Sequence, residues 1–344
     1  MSQLEAYIFN FRKIEIKKPV FISGMARSGT TFTTHLLFSS ENFSSLQYKD
    51  LPFYKIIILW SYFSRIYYGY EKFSERIHGD KLLVSINSPD SFEELIWKNN
   101  LDNYLSSGFY QKINENYINN NLLNDLTNLI KKTLYIKKKN RYLSKNNYNI
   151  FRLKYLFNHY KDSNSILLFR DPIDTINSLV KVHYNFINLG KNNKNFGEEL
   201  EILGHHEFGP KRKAFNIGEN YERTTKYWTN GDDYNGYLLQ WIDLYSFVLR
   251  EYKDLIVSKK ILLLQFTNNL NTDFCNKIVN FCKINNSDKL FEYFKKFSSY
   301  PTKKNGIEIN IEKKYIEESY KIFEELIKLS KKYFYLSNIF FNFQ

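Results

Sequence analysis

The residues with the types and spacing to do chemistry stand near the start of the chain. Gly24-Met25-Ala26-Arg27-Ser28-Gly29-Thr30-Thr31 has the frame G-x-x-x-x-G-T-T and follows directly on a short apolar run. Two glycines permit a tight turn. The backbone N–H groups of the turn and of a following helix then point at one centre, and the Thr hydroxyls add donors. This is a phosphate cradle with Thr30 at the place where nucleotide triphosphatases carry Lys, so a γ-phosphate would lack its usual cation. Arg27, a fixed planar fork of donors three residues earlier, suits a phosphate–sulfate anhydride better than ATP.

Such a cradle needs a strand before it and a helix behind it. Pro19 to Ser23 is apolar and β-rich and ends at Gly24, which reads as a buried strand entering a turn, and Thr31 to Phe38 is helix-compatible. A second strand of this kind is Ser165 to Phe169, followed by Arg170-Asp171, Pro172 and a helix-like stretch through Val182; a third is Ile261 to Phe266. Continuous apolar runs alternating with helical segments predict an α/β fold, a three-layer parallel sheet flanked by helices and interrupted by helical insertions. Residues 91–135 read as helical, residues 190–240 as a long excursion from the sheet, and residues 311–333 as a final amphipathic helix.

With the loop, strand and helix in place, Pro19 to Phe32 resembles the 5′-phosphosulfate-binding loop of the sulfotransferases that use 3′-phosphoadenosine-5′-phosphosulfate (PAPS). Arg before Ser-Gly-Thr-Thr is similar to the carbohydrate and tyrosylprotein members rather than the cytosolic small-molecule enzymes. The resemblance implies a P-loop nucleoside-triphosphatase-like fold, and cofactor contacts from Arg27, Ser28, Gly29, Thr30, Thr31 and Phe32. Ser165 to Pro172, with Ser178 eight residues after Arg170, resembles the family's 3′-phosphate motif, which assigns Arg170 and Ser178 to that phosphate. An Arg at a strand end and a hydroxyl on the next helix can converge on one dianion. Lys145 stands where family members often carry Lys-x-Pro, with Asn147 replacing the Pro, and is expected near the moving sulfuryl group. The late run Ile261 to Leu270 is similar to the family's last strand, with Phe-Thr-Asn-Asn-Leu in place of Tyr-Glu-Asp-Leu.

The implied reaction is in-line sulfuryl transfer to a hydroxyl or amine, with Arg27 and Lys145 countering charge on the leaving phosphate and a carboxylate as base. Asp50 is the expected base, because relatives place a carboxylate soon after the loop helix and Asp50 is the sole acid between Glu41 and Pro52. Glu93, Glu94 and His78 compete for that role. Two other functions stay open. An ATP-dependent kinase or NTPase calls for Lys at position 30 and a magnesium-binding Asp after another strand. A non-catalytic binder of nucleotides or sulfated polymers would keep the loop and lose the base.

Composition sets the limits. The chain has 344 residues, 43% hydrophobic and 18% aromatic, enough for one layered domain with a sizeable core. Its parts read as a PAPS-binding core at about 18–50 and 143–283, acceptor-side insertions at about 51–142 and 190–240, and the terminal helix. The net charge of +13 suits a polyanionic ligand, although Lys, Asn, Ile, Tyr and Phe are abundant together as in an AT-rich genome. Nucleic acid is not expected as a partner. Cys275 and Cys282, seven apart in an apolar helical pattern, read as buried thiols in a reducing compartment. No signal peptide or membrane-spanning run is apparent, so a cytoplasmic, bacterial enzyme acting on a saccharide or glycolipid precursor is expected. His205-His206-Glu207 lacks the i, i+4 spacing of a helical metal site, and no metal is expected. The aromatic stretch Trp60 to Tyr70 is expected to pack in the core, and the Lys131 to Lys139 cluster to face solvent.

Overall fold

The computed structural model of the chain describes residues 2–79, 82–101, 112–193, 195–298 and 311–341. Part of the expected helical stretch 91–135, residues 102–111, thus lies outside the described residues, as does the side chain of Arg65. The centre is a four-stranded parallel sheet of β1 (Val20–Gly24), β2 (Leu143–Lys145), β3 (Asn164–Phe169) and β4 (Ile261–Gln265), in the order β2-β1-β3-β4. Val20 pairs with Leu143 and with Asn164, and Leu168 with Leu264.

Because the side-chain period of a strand is two, each run sends alternate residues into two separate apolar layers. Phe21, Leu167, Phe169, Ile261 and Leu263 enter the larger layer, and Val20, Ile22, Ile166, Leu168, Leu262 and Leu264 the smaller. The smaller layer is closed by α1 (Thr30–Ser39), through Leu36 and Leu37, and by the helix Thr272–Cys282, through Phe274, Cys275 and Ile278. The larger takes helices Asn120–Lys137, Pro172–Asn192, Asp233–Val257 and Lys313–Phe341. Helices on both faces make three layers, and all four strands point their carboxyl ends to one edge. The chain goes from β1 to β2 on one side and then crosses over to β3 on the other, so the crevice outside the end of β1 is where a ligand is accommodated in such sheets.

Two expectations need correction. The strand β2 is absent from the expected strands at 19–23, 165–169 and 261–266, because three residues are too short to give a periodic signal. The aromatic stretch after Trp60 is not core. The helix Ile57–Tyr68 buries Ile57, Ile58 and Ser64, which leaves Tyr62, Phe63 and Tyr67 outward, with Tyr70 beyond it 95% exposed. Lys132 departs from its cluster by pairing at 2.8 Å with the buried Glu5. Among the described residues no helix is long and apolar enough to cross a membrane.

Candidate active site

The turn Met25 to Gly29 links β1 to α1 in a conformation few residues adopt. Gly24, Arg27 and Gly29 all have positive φ, at 145°, 73° and 92°. A Cβ at Gly24 would lie 2.5 Å from the Leu168 carbonyl oxygen, and one at Gly29 would lie 2.2 Å from the Phe266 ring. Ser28 spends its hydroxyl within the turn, donating to the Met25 carbonyl at 2.7 Å. Tyr245 supports the turn from below: its hydroxyl donates to the Leu168 carbonyl at 2.9 Å and accepts from the Met25 N–H at 3.4 Å.

As Thr33 N–H is the first to bond back, to the Gly29 carbonyl, the N–H groups of Thr30, Thr31 and Phe32 have no partner within the helix. They present the positive end of α1 to the crevice. Phe32 supplies only backbone there; its ring packs 5.8 Å from Phe266 and 6.2 Å from Tyr293.

Arg27 and Ser178, separated by 151 residues, meet directly: Arg27 Nε donates to Ser178 Oγ at 2.9 Å. Arg170, at the end of β3, places Nη1 3.4 Å from the Arg27 carbonyl and Nη2 2.6 Å from Asn268 Oδ1. Asn268 also donates to Asp174 at 2.9 Å, and Asp174 lies 3.6 Å from Arg170. Among the described residues Arg170 Nε is buried with no hydrogen-bond partner, an orphaned donor beside the cradle that an anion would satisfy. Loop, helix terminus and arginines thus form a donor set of the right chemistry for anionic groups. Asn268 carried no sequence signal beyond its place just after the last strand.

The other side of the cradle is a buried polar cluster. Thr30 Oγ1 donates to Asn147 at 3.0 Å, and Asn147 donates in turn to Glu207 at 2.9 Å. Burial opposes the charge of Glu207, yet His205, Asn147 and Tyr148 outweigh it and hold the carboxyl down to about 2. His206 donates its backbone N–H to Tyr148, so the His-His-Glu run braces the cradle. Thr31 Oγ1 accepts from Arg76 at 3.2 Å. Lys145 is buried and paired with Asp90 at 2.9 Å, and Tyr48 donates to the second Asp90 oxygen at 2.7 Å. Nothing in the local spacing marked Asp90 or Arg76.

Asp50 is placed elsewhere. Its carboxylate accepts from the Gln47 N–H at 2.9 Å and closes a capping box on the short helix Tyr48–Ile56. Burial raises its pKa, and the cations acting on it are Lys137 and Lys49, not Arg27 or Lys145. Of its competitors, Glu94 is bound by Arg152 at 2.7 Å, which also stacks on Trp97. Glu93 accepts from Tyr142 and Ser144, and burial pushes it up to about 7. The His78 ring packs against Phe186 and Phe208.

A parallel α/β sheet with a phosphate loop at the end of its first strand defines the P-loop-like class. The chain belongs to the sulfotransferase family, whose model matches residues 19–207, more than half of it, from the first strand through Glu207. Among solved structures it is similar to the sulfotransferase STF9 of Mycobacterium avium, with 12% identity over 95% of this chain and 81% of that one and a TM-score of 0.53. It also aligns with the sulfotransferase STF1 of Mycobacterium tuberculosis, with 12% identity over 93% and 80% and a TM-score of 0.48. No curated protein matches the chain.

Proposed function

We propose that the protein transfers a sulfuryl group from PAPS to a hydroxyl of a saccharide or glycolipid. The observation that carries this reading is the meeting of Arg27, Ser178 and Arg170 at the cradle, which joins a loop suited to one phosphate to an arginine and a hydroxyl suited to a second. PAPS supplies an activated sulfuryl group on a leaving phosphate. The N–H groups of Thr30 to Phe32 and Arg27 hold the 5′ end, and Arg170 with Ser178 holds the 3′-phosphate. Lys145 stands beside the cradle at the end of β2, level with Ile22, as a cation for the leaving oxygen. Thr30, engaged with Asn147, stands where an ATP-using loop carries its lysine.

For the acceptor, the outward aromatic face of the helix Ile57–Tyr68 offers rings on which sugars stack, and the chain runs from it to Arg76 at the cradle. The two buried free thiols favour a reducing compartment such as the cytoplasm. Calorimetric titration with 3′-phosphoadenosine-5′-phosphate (PAP), against AMP and ATP, tests the donor. The expected result is selective binding of PAP, weakened roughly 100-fold by Arg170→Ala, a loss in line with removing a charged, desolvated contact. Equal or tighter binding of ATP would return the loop to the kinases.

A further inference from the structure

The cluster beside the cradle holds a carboxylate that the donor site does not use. Asp90 is buried; it accepts from Lys145 at 2.9 Å, from Tyr48 at 2.7 Å and from the Ser91 N–H at 2.8 Å. The groups facing it come from four elements: Lys145 from β2, Tyr48 from the short helix, His35 from α1 and Arg76 from the segment that reaches Thr31. His35 is buried, and its Nε2 has no hydrogen-bond partner among the described residues. The cluster therefore joins a carboxylate, two cations and an imidazole at the mouth of the cradle.

Resting on the PAPS reading above, we propose that Asp90 is the proton acceptor of the transfer and that Lys145 masks it until the donor binds. Among the described residues Lys145 pairs with one carboxylate, Asp90. A donor brings several negative charges to the cradle beside it, and a flexible ammonium exchanges partners more readily than a planar guanidinium. Once Lys145 turns to the leaving phosphate, Asp90 keeps Tyr48 and the Ser91 N–H but loses its closest cation, and its basicity rises. The acceptor oxygen then forms its bond to sulfur as the bond from sulfur to the phosphate oxygen breaks. The acceptor proton passes to Asp90, and the leaving phosphate carries away the electron pair beside Lys145. The order matters for the chemistry: a base exposed only with donor in place does not act on an empty site.

This exchange is readable without knowing the acceptor. PAP is titrated into the full chain at about pH 6 in two buffers of different ionisation enthalpy, which reports protons taken up on binding. In wild type, binding is expected to take up more protons than in Asp90→Asn, the comparison cancelling protons carried by the phosphates. Asp90→Asn, with Lys145 released in advance, is expected to bind PAP about tenfold tighter, and Lys145→Gln about tenfold weaker with no excess uptake. If Asp90→Asn fails to fold, wild type against Lys145→Gln still decides, because only wild type can exchange the pair. Equal uptake and affinity in all three proteins overturns the proposal. So does uptake that persists in Asp90→Asn and disappears in His35→Gln. Failure of wild type to bind PAP would fall on the donor reading instead.

Discussion

The carboxylates around the cradle share one chemistry and are set apart by their surroundings. Asp90 and Glu207 are buried, and burial alone would raise both, but Lys145 and Arg76 at one and His205 and Asn147 at the other hold them well down. Glu93 has two neutral donors, Tyr142 and Ser144, which do not offset its burial, and sits at about 7. The sign of the consequence follows from linkage. A carboxyl whose pKa rises from 4.5 to about 7 on folding favours the folded state most when protonated. Its contribution is full below about pH 4.5 and is lost as pH rises through 7. Glu93→Gln stays neutral and should hold its stability across this window. Urea midpoints at about pH 5 and about pH 8 should show wild type losing ground to the variant by about 2–3 kcal/mol.

At the scale of elements, the cradle depends on contacts from strands and helices far away in the sequence. Tyr245, deep in the helix Asp233–Val257, ties the Leu168 carbonyl of β3 to the Met25 N–H of the loop. Tyr245→Phe keeps the ring and removes only this bridge. It should cost roughly 1–3 kcal/mol in thermal unfolding and weaken PAP binding, because a buried donor loses its partner where the loop is anchored. This division also explains what the sequence makes legible. The apolar runs at 20–24, 164–169 and 261–265 announce themselves because a strand covered on both faces has no polar position to spare. The loop is legible because its glycines and threonines are local requirements. The partners Asn268, Asp90 and Arg76 are not, since they meet the cradle only after the chain closes over 98, 55 and 45 residues. Asp50 is the opposite case: a lone acid after the loop helix suits a helix cap as well as a base, and the backbone path puts this one in a cap.

Across the whole molecule, the sheet separates two apolar layers, and the site lies at the edge where both end. The larger layer carries the helices that support Arg27, Ser178 and Tyr245; the smaller is closed by α1 itself and by the helix Thr272–Cys282. The orientation of α1, whose N-terminus faces the crevice, therefore depends on the smaller layer. The two cysteines report on it. Cys275 and Cys282 face the strand residues Ile166, Leu168, Leu262 and Leu264, and burial pushes both thiols up to about 12. A thiol in that state is neither ionised nor reachable, so modification must wait for the layer to open. Titrated with a thiol reagent in rising guanidinium, both cysteines should stay unreactive while the helical circular dichroism is native and react together as it is lost. PAP should then shift the two transitions to higher denaturant by the same amount, since ligand bound at the end of α1 stabilises the layer that α1 closes. Modification before the loss of helix would mean that the smaller layer detaches on its own, and PAP should suppress that early step most strongly.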